Sequence, residues 1–200
     1  MKKKSFLFLI LLTIPFLSQA QFKLNLSIGS GINKTHIKDN YSVGFNQVGI
    51  SYRGGIKLNY YLNQRFKIGT GILYTYNQNV RDFNIVEIDR SSKAIQFPAH
   101  FGYVLASTPI EILLGININF NLNQKFDPSP YVLEEYQNIY TNLNLGCFYT
   151  FSERFKIGIV SEIGLSPYFK YSILNTIPPN NATIEKFFIR NAQIELNFIL

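Results

Sequence analysis

Ten charged or titratable side chains recur at alternate positions of otherwise apolar stretches: Lys23, Arg53, Lys57, Lys67, Lys93, His100, Glu111, Lys156, Glu162 and Glu195. Gathered on one enclosed face, cations and carboxylates form ion pairs, and where pairing is incomplete they line an ion path. A buried charge without a partner is too costly to persist. The expected arrangement is therefore a polar network that fills and stiffens an interior, with a narrow, positively biased ion path as the competing reading.

Hydrolysis would need a base within reach of a serine and a third group orienting that base. His100 follows Pro98 and takes the polar phase beside Phe101, while His36 stands among Lys34, Lys38 and Asp39. Neither sits beside a serine on the apolar face, where an acyl chain would lie, and neither has a second His or Cys at metal-ligand spacing. Asp82, Glu87 and Asp89 lack calcium-loop spacing. The lone Cys147 excludes an internal disulfide and shares its apolar face with Leu145 and Tyr149, as a small hydrophobe would. The chain reads as non-enzymatic, without cofactor or metal.

The elements that must position these groups are strands. Apolar and polar residues alternate from Phe22 to Ile32, Ile50 to Leu62, Phe66 to Tyr76, Ile95 to Leu105, Ile110 to Phe120, Ile139 to Phe151, Phe155 to Leu165 and Ala192 to Leu200. A period of two sends successive side chains to opposite faces of a strand. Breaks at 63–65, 106–109 and 152–154 are short, whereas those near 34–48, 77–92, 121–136 and 166–186 are long. Short connections on one rim and long ones on the other predict an eight-stranded antiparallel up-and-down transmembrane β-barrel, with periplasmic turns and outer loops.

Compartment follows from the first residues. Lys2, Lys3 and Lys4, an apolar run from Phe6 to Leu17 and Ser18-Gln19-Ala20 form an export signal, with cleavage expected near Ala20 and a barrel domain over 21–200. The apolar run is too short for a spanning helix. The chain holds 19 basic against 12 acidic residues. Without the three signal lysines the balance is 16 against 12, which removes most of the motive for a nucleic-acid partner.

Volume decides which face points inward. An eight-stranded barrel has an interior just wide enough for ordinary side chains or one small ligand. It cannot hold the many Ile, Leu, Phe and Tyr residues of the apolar phase, so these must face lipid. The other face carries Gly29, Gly31, Gly55, Gly69, Gly71, Gly102, Gly115, Gly146, Gly158 and Gly164 with Asn and Ser between, which suits a narrow lumen. Tyr60, Phe66, Tyr103, Phe151, Phe155 and Phe198 fall near one rim, and Tyr52, Tyr74, Tyr76, Phe97, Phe120 and Phe188 near the other, as two aromatic girdles. Two conflicts call for bulges: Pro98 within a strand, and Arg190 in the outward phase after Phe187-Phe188-Ile189.

Arg-Phe-Lys-Ile-Gly occurs twice, at 65–69 and 154–158, each time opening a strand after a short turn. With the export signal, Gln21 at the expected mature start, eight strands and long outer loops, the chain resembles the outer-membrane β-barrel domain family that includes PorT-like proteins. The resemblance spans Phe22 to Leu200. It implies residence in the outer membrane of a Gram-negative-type cell, contact with outer-membrane lipid, and insertion by the barrel-assembly machinery. Such barrels usually end on an aromatic residue, here displaced two positions to Phe198. For the PorT-like branch it implies accessory work in protein secretion or gliding; other eight-stranded barrels edit lipid A.

The remaining functional surface is the outer loops. Tyr131 and Tyr136 in the third, with Glu134-Glu135, and Tyr168, Phe169 and Tyr171 in the fourth are candidate contacts for a secretion-machine or extracellular partner. The competing expectation is that strands extend beyond the membrane and these side chains pack on one another. Asn181-Ala182-Thr183 matches a glycosylation tripeptide, which alone is weak.

Overall fold

The computed structural model describes residues 21–37, 47–83, 86–122, 132–173 and 183–200. Ten antiparallel strands are present there: β1 (Gln21–Ile37), β2 (Gln47–Tyr61), β3 (Phe66–Phe83), β4 (Val86–Val104), β5 (Ile110–Asn121), β6 (Val132–Tyr136), β7 (Ile139–Thr150), β8 (Phe155–Gly164), β9 (Phe169–Ile173) and β10 (Thr183–Ile199). Eight of them pair in the order β1-β2-β3-β4-β5-β7-β8-β10, and β10 pairs with β1 to close the barrel. Closure leaves no free edge in the wall.

The outer connections are more ordered than the sequence pattern predicts. β3 and β4 run on together until Phe83 pairs with Val86, through what reads as loop 77–92. The third and fourth connections contribute β6 and β9, with β9 pairing Thr183–Phe187 of β10 and β6 pairing β9 in turn. Strand extension thus replaces irregular loop at this end, where the alternation is too short or too interrupted to be read. The export signal, Tyr131 and most of the glycosylation tripeptide lie outside the described residues.

At the other end three turns are tight, and the first and last of them explain the repeated pentapeptide. The Asn63 side-chain oxygen accepts from the backbone of Arg65 and Phe66, both at 2.8 Å. The Ser152 hydroxyl does the same for Arg154 and Phe155 at 3.3 and 3.1 Å. A short polar side chain closing a turn over its own backbone is what Asn and Ser do best. The motif is therefore a turn followed by a rim aromatic. In the middle turn Ser107 takes a left-handed conformation (φ 61°).

Alternation sorts the side chains as volume demands. Ile28, Ile32, Ile159 and Ile194 are 60–65% exposed, whereas Ser27, Asn117 and Glu195 are 0% exposed. Such a wall is stable only in lipid, and the barrel is membrane-spanning. Rim aromatics touch: Phe22 and Tyr60 rings lie 4.8 Å apart, Phe66 and Tyr103 5.0 Å, and Phe155 and Phe198 4.9 Å.

Neither expected bulge forms. Register across β3–β4 is unchanged on both sides of Pro98: Thr70 faces Ala99 and Leu73 faces Gln96, with the ladder interrupted only between these pairs. On its other side Pro98 pairs regularly with Asn117. The proline gives up ladder bonds locally without shifting the strand. Likewise β10 pairs with β1 without a slip from Ile199 to Phe187. Ile189 therefore points inward and is buried, and Arg190 points outward at the rim, where a cation needs no bulge to reach water.

Candidate functional site

The interior is built in layers. Nearest the tight turns, Glu111 on β5 bridges Lys67 on β3 and Lys156 on β8, the latter at 2.7 Å. Lys156 also donates to the Tyr61 hydroxyl at 3.3 Å. The ammonium groups of Lys23, Lys67 and Lys156 stand 5.3, 5.9 and 5.9 Å from the Tyr61 ring centre. One inward aromatic thus gathers three lysines through its ring face and hydroxyl, and two of them, Lys67 and Lys156, share the Glu111 carboxylate.

Above this lies a small apolar plug of Leu113, Phe148 and Val160. Phe148 fits because its neighbours are glycines. A Cβ at Gly146 would come within 2.9 Å of its ring, and one at Gly158 within 2.6 Å. The same principle seats Lys67 against Gly102 and His100 against Gly69. Glycine in this lumen is the complement of a long side chain facing it.

The upper layer centres on two carboxylates. Glu195 accepts from Arg53, Lys57 and, at 2.9 Å, from the Asn197 amide. Glu162 accepts from Arg53 at 2.6 Å, Gln96 at 3.2 Å, Asn117 at 2.8 Å, and Asn142 and Asn191 at 3.3 Å each. Those donors come from β2, β4, β5, β7 and β10, so one carboxylate on β8 joins six strands. Toward the outer end Leu73, Ala94, Tyr140, Tyr168 and Ile189 are buried. This second apolar layer caps the network.

His100 is inward and buried, and its Nε2–H donates to the Asn59 side-chain oxygen at 2.9 Å. Beside it remains a cavity of about 10 Å³, close to what one water occupies. Asn25 Oδ1, Asn59 Nδ2, His100 Nδ1 and Asn197 Oδ1, on residues that line it, have no protein partner. A second hollow, of about 980 Å³, lies on the lipid-facing wall over Thr70 and Ala99.

Of the ten interior candidates, the structure brings together Arg53, Lys57, Lys67, Glu111, Lys156, Glu162 and Glu195. His100 joins through Asn59, and Lys23 sits half-buried at the rim over Tyr61. Lys93 does not belong. It is exposed on the outward face of β4, two positions from Ile95 and four from Phe97, so its parity is that of the lipid-facing residues. Tyr168 is likewise no exposed loop contact: it is 4% exposed, with its ring 6.1 Å from that of Tyr140. Tyr136, Phe169 and Tyr171 lie on β6 and β9, where Tyr136 pairs with Phe169.

Residues not anticipated are Tyr61, Phe148, Leu113, Tyr140 and the asparagines that feed Glu162. Parity could have found Tyr61, two positions beyond Asn59. The asparagine pairs 117/119 and 142/144 are visible as polar alternation, but the convergence of Asn117, Asn142 and Asn191 on one carboxylate is not.

No family model and no curated protein matches the chain. Among solved structures it is similar to Neisserial surface protein A (13% identity, 90% of this chain and 97% of that one, TM-score 0.49). It is also similar to the outer membrane protein OprG from Pseudomonas aeruginosa (11%, 88% and 95%, TM-score 0.48) and to the outer membrane enzyme PagL (14%, 86% and 97%, TM-score 0.49).

Proposed function

We propose that this protein is a non-conducting, non-enzymatic barrel of the outer membrane that anchors its outer extension for contact with a partner. The observation that carries this reading is the filling of the interior. Four buried cations, Arg53, Lys57, Lys67 and Lys156, are engaged by Glu111, Glu162 and Glu195, and apolar layers lie around them. Ions would have to break that network to pass. Interior side chains are thus spent on rigidity, which leaves the outer end, where β6, β9 and the start of β10 form a small sheet, as the surface free to act.

Two sequence-based alternatives remain distinct. A PorT-like secretion role rests on the resemblance alone and predicts machine partners retained in mild detergent. A lipid-editing enzyme needs an imidazole beside a serine on the lipid face, whereas His100 is turned inward onto Asn59 and His36, near the outer end of β1, is paired with Phe188 rather than a serine. In planar bilayers, purified protein is expected to give no sustained conductance. Robust anion-selective current from monomer overturns the filled-lumen reading, and loss of an acyl chain from lipid A on expression overturns the non-enzymatic one.

A further inference from the structure

On the outward wall Lys34 of β1 and Arg190 of β10 are direct cross-strand partners, and both are exposed. Like charges placed opposite each other on one face of a sheet destabilise it. Their lateral neighbours in register offer no relief: Val48 flanks Lys34 and Ile163 flanks Arg190. Lys186, exposed on the same face of β10, adds a third cation further out. Among the described residues no carboxylate pairs with any of the three.

Depth and surroundings point to what relieves the repulsion. From the rim aromatic Phe198 to Arg190 is eight residues, about 27 Å along a strand. Allowing for tilt, the pair stands at the outer edge of an apolar band roughly 25 Å tall, where phosphate groups lie. One step below, Ala192 pairs with Ser161 on one side and Ile32 on the other. These two small residues lie among Ile32, Ile159 and Ile194, which are 60–65% exposed. By side-chain size, Ala192 and Ser161 set among isoleucines leave a shallow hollow in the wall directly beneath the two cations.

We propose that Lys34 and Arg190 form a clasp for the phosphate of an outer-leaflet lipid whose chain lies over Ala192 and Ser161. Arg supplies a planar fork for two phosphate oxygens and Lys a mobile point charge. The hollow commits the site to a lipid rather than a free anion, since inorganic phosphate would use only the cations. The proposal rests on the membrane reading above.

The test uses full-length protein in phosphatidylcholine nanodiscs doped with phosphatidic acid, with retained lipid counted by native mass spectrometry. Wild type is expected to hold phosphatidic acid in preference to phosphatidylcholine. The K34Q/R190Q variant should lose that preference by about thirtyfold, the scale of two interfacial cations. S161L/A192L, which keeps the charges and fills the hollow, should also lose it. Equal retention by wild type and K34Q/R190Q overturns the clasp. Displacement by millimolar inorganic phosphate, or full retention by S161L/A192L, overturns the lipid assignment. Failure to enter lipid-only phosphatidylcholine discs would instead count against the membrane reading, so the two failures are distinguishable.

Discussion

The Arg53 guanidinium donates to Glu162 at 2.6 Å across the interior, joining β2 to β8, strands that share no backbone ladder. Each side chain is almost fully buried, with 1% and 3% exposure. Arg53 also reaches Glu195 on β10, so a single guanidinium ties three strands at one level. In a closed barrel the ladder already fixes neighbours. These cross-lumen bonds add contacts between strands that the ladder cannot connect.

A buried ion pair of this kind is costly to break from one side, since the remaining charge is left without its partner. Glu162→Leu removes an acceptor shared by five donors, of which Arg53 keeps Glu195 and Gln96 keeps Asn119, and is expected to lower stability by about 3 kcal/mol. Arg53→Met should then cost less in the Glu162→Leu background than in the wild type, by roughly 1–3 kcal/mol. Urea unfolding in phospholipid vesicles, followed by the gel shift between folded and unfolded barrel, measures both. Additive losses would show that the two side chains do not act together.

Packing around Phe148 gives a second expectation, of opposite sign in combination. Gly158→Leu drives a side chain into the Phe148 ring and should destabilise by about 1–3 kcal/mol. Phe148→Ala removes the obstacle, so the double variant should be more stable than Gly158→Leu alone. No rescue in the same unfolding assay would mean that Gly158 is required by backbone approach to Cys147 rather than by the ring.

How far the chain is legible depends on parity. Period-two alternation places Arg53, Lys57 and Glu195 inward and Ile28 and Ile159 outward, because a strand has only two faces and the lumen cannot hold the apolar set. Lys93 shows the limit of judging by residue type: it is charged, but it keeps step with Ile95 and Phe97 and so faces out. Phe148 shows the converse, an aromatic admitted because Gly146 and Gly158 make room. Partner choice is the part that stays hidden. Glu162 meets Arg53, 109 residues earlier, only because of barrel order and shear, and no local pattern encodes either. Pro98 and Arg190 look like register faults in sequence, yet their registers hold, since one lost ladder bond or one rim cation is tolerated without a slip.

Tyr168 offers a test of the outer end. Buried against Tyr140, it should resist modification of intact protein by tetranitromethane, while denatured protein reacts freely. Tyr168→Ala should loosen the cap and lower stability by about 3 kcal/mol, the scale of a buried large aromatic. Rapid nitration of Tyr168 in the folded barrel would return it to the exposed loop surface.

The single native cysteine reports directly on which face is outside. Cys147 is exposed on β7, and its lateral partners in register are Ile112 and Ile159, both outward. In a membrane that exposure is to hydrocarbon, which water-soluble reagents do not reach. Protein reconstituted in vesicles should therefore react with a lipid-soluble maleimide and be spared by a charged, membrane-impermeant one, with Cys147→Ser as the unlabelled control. Unfolding in urea should make the two reagents equivalent. If the charged reagent labels Cys147 in the folded, reconstituted barrel as fast as in urea, this wall faces water, and the apolar belt, the girdles and the lipid clasp fail with it.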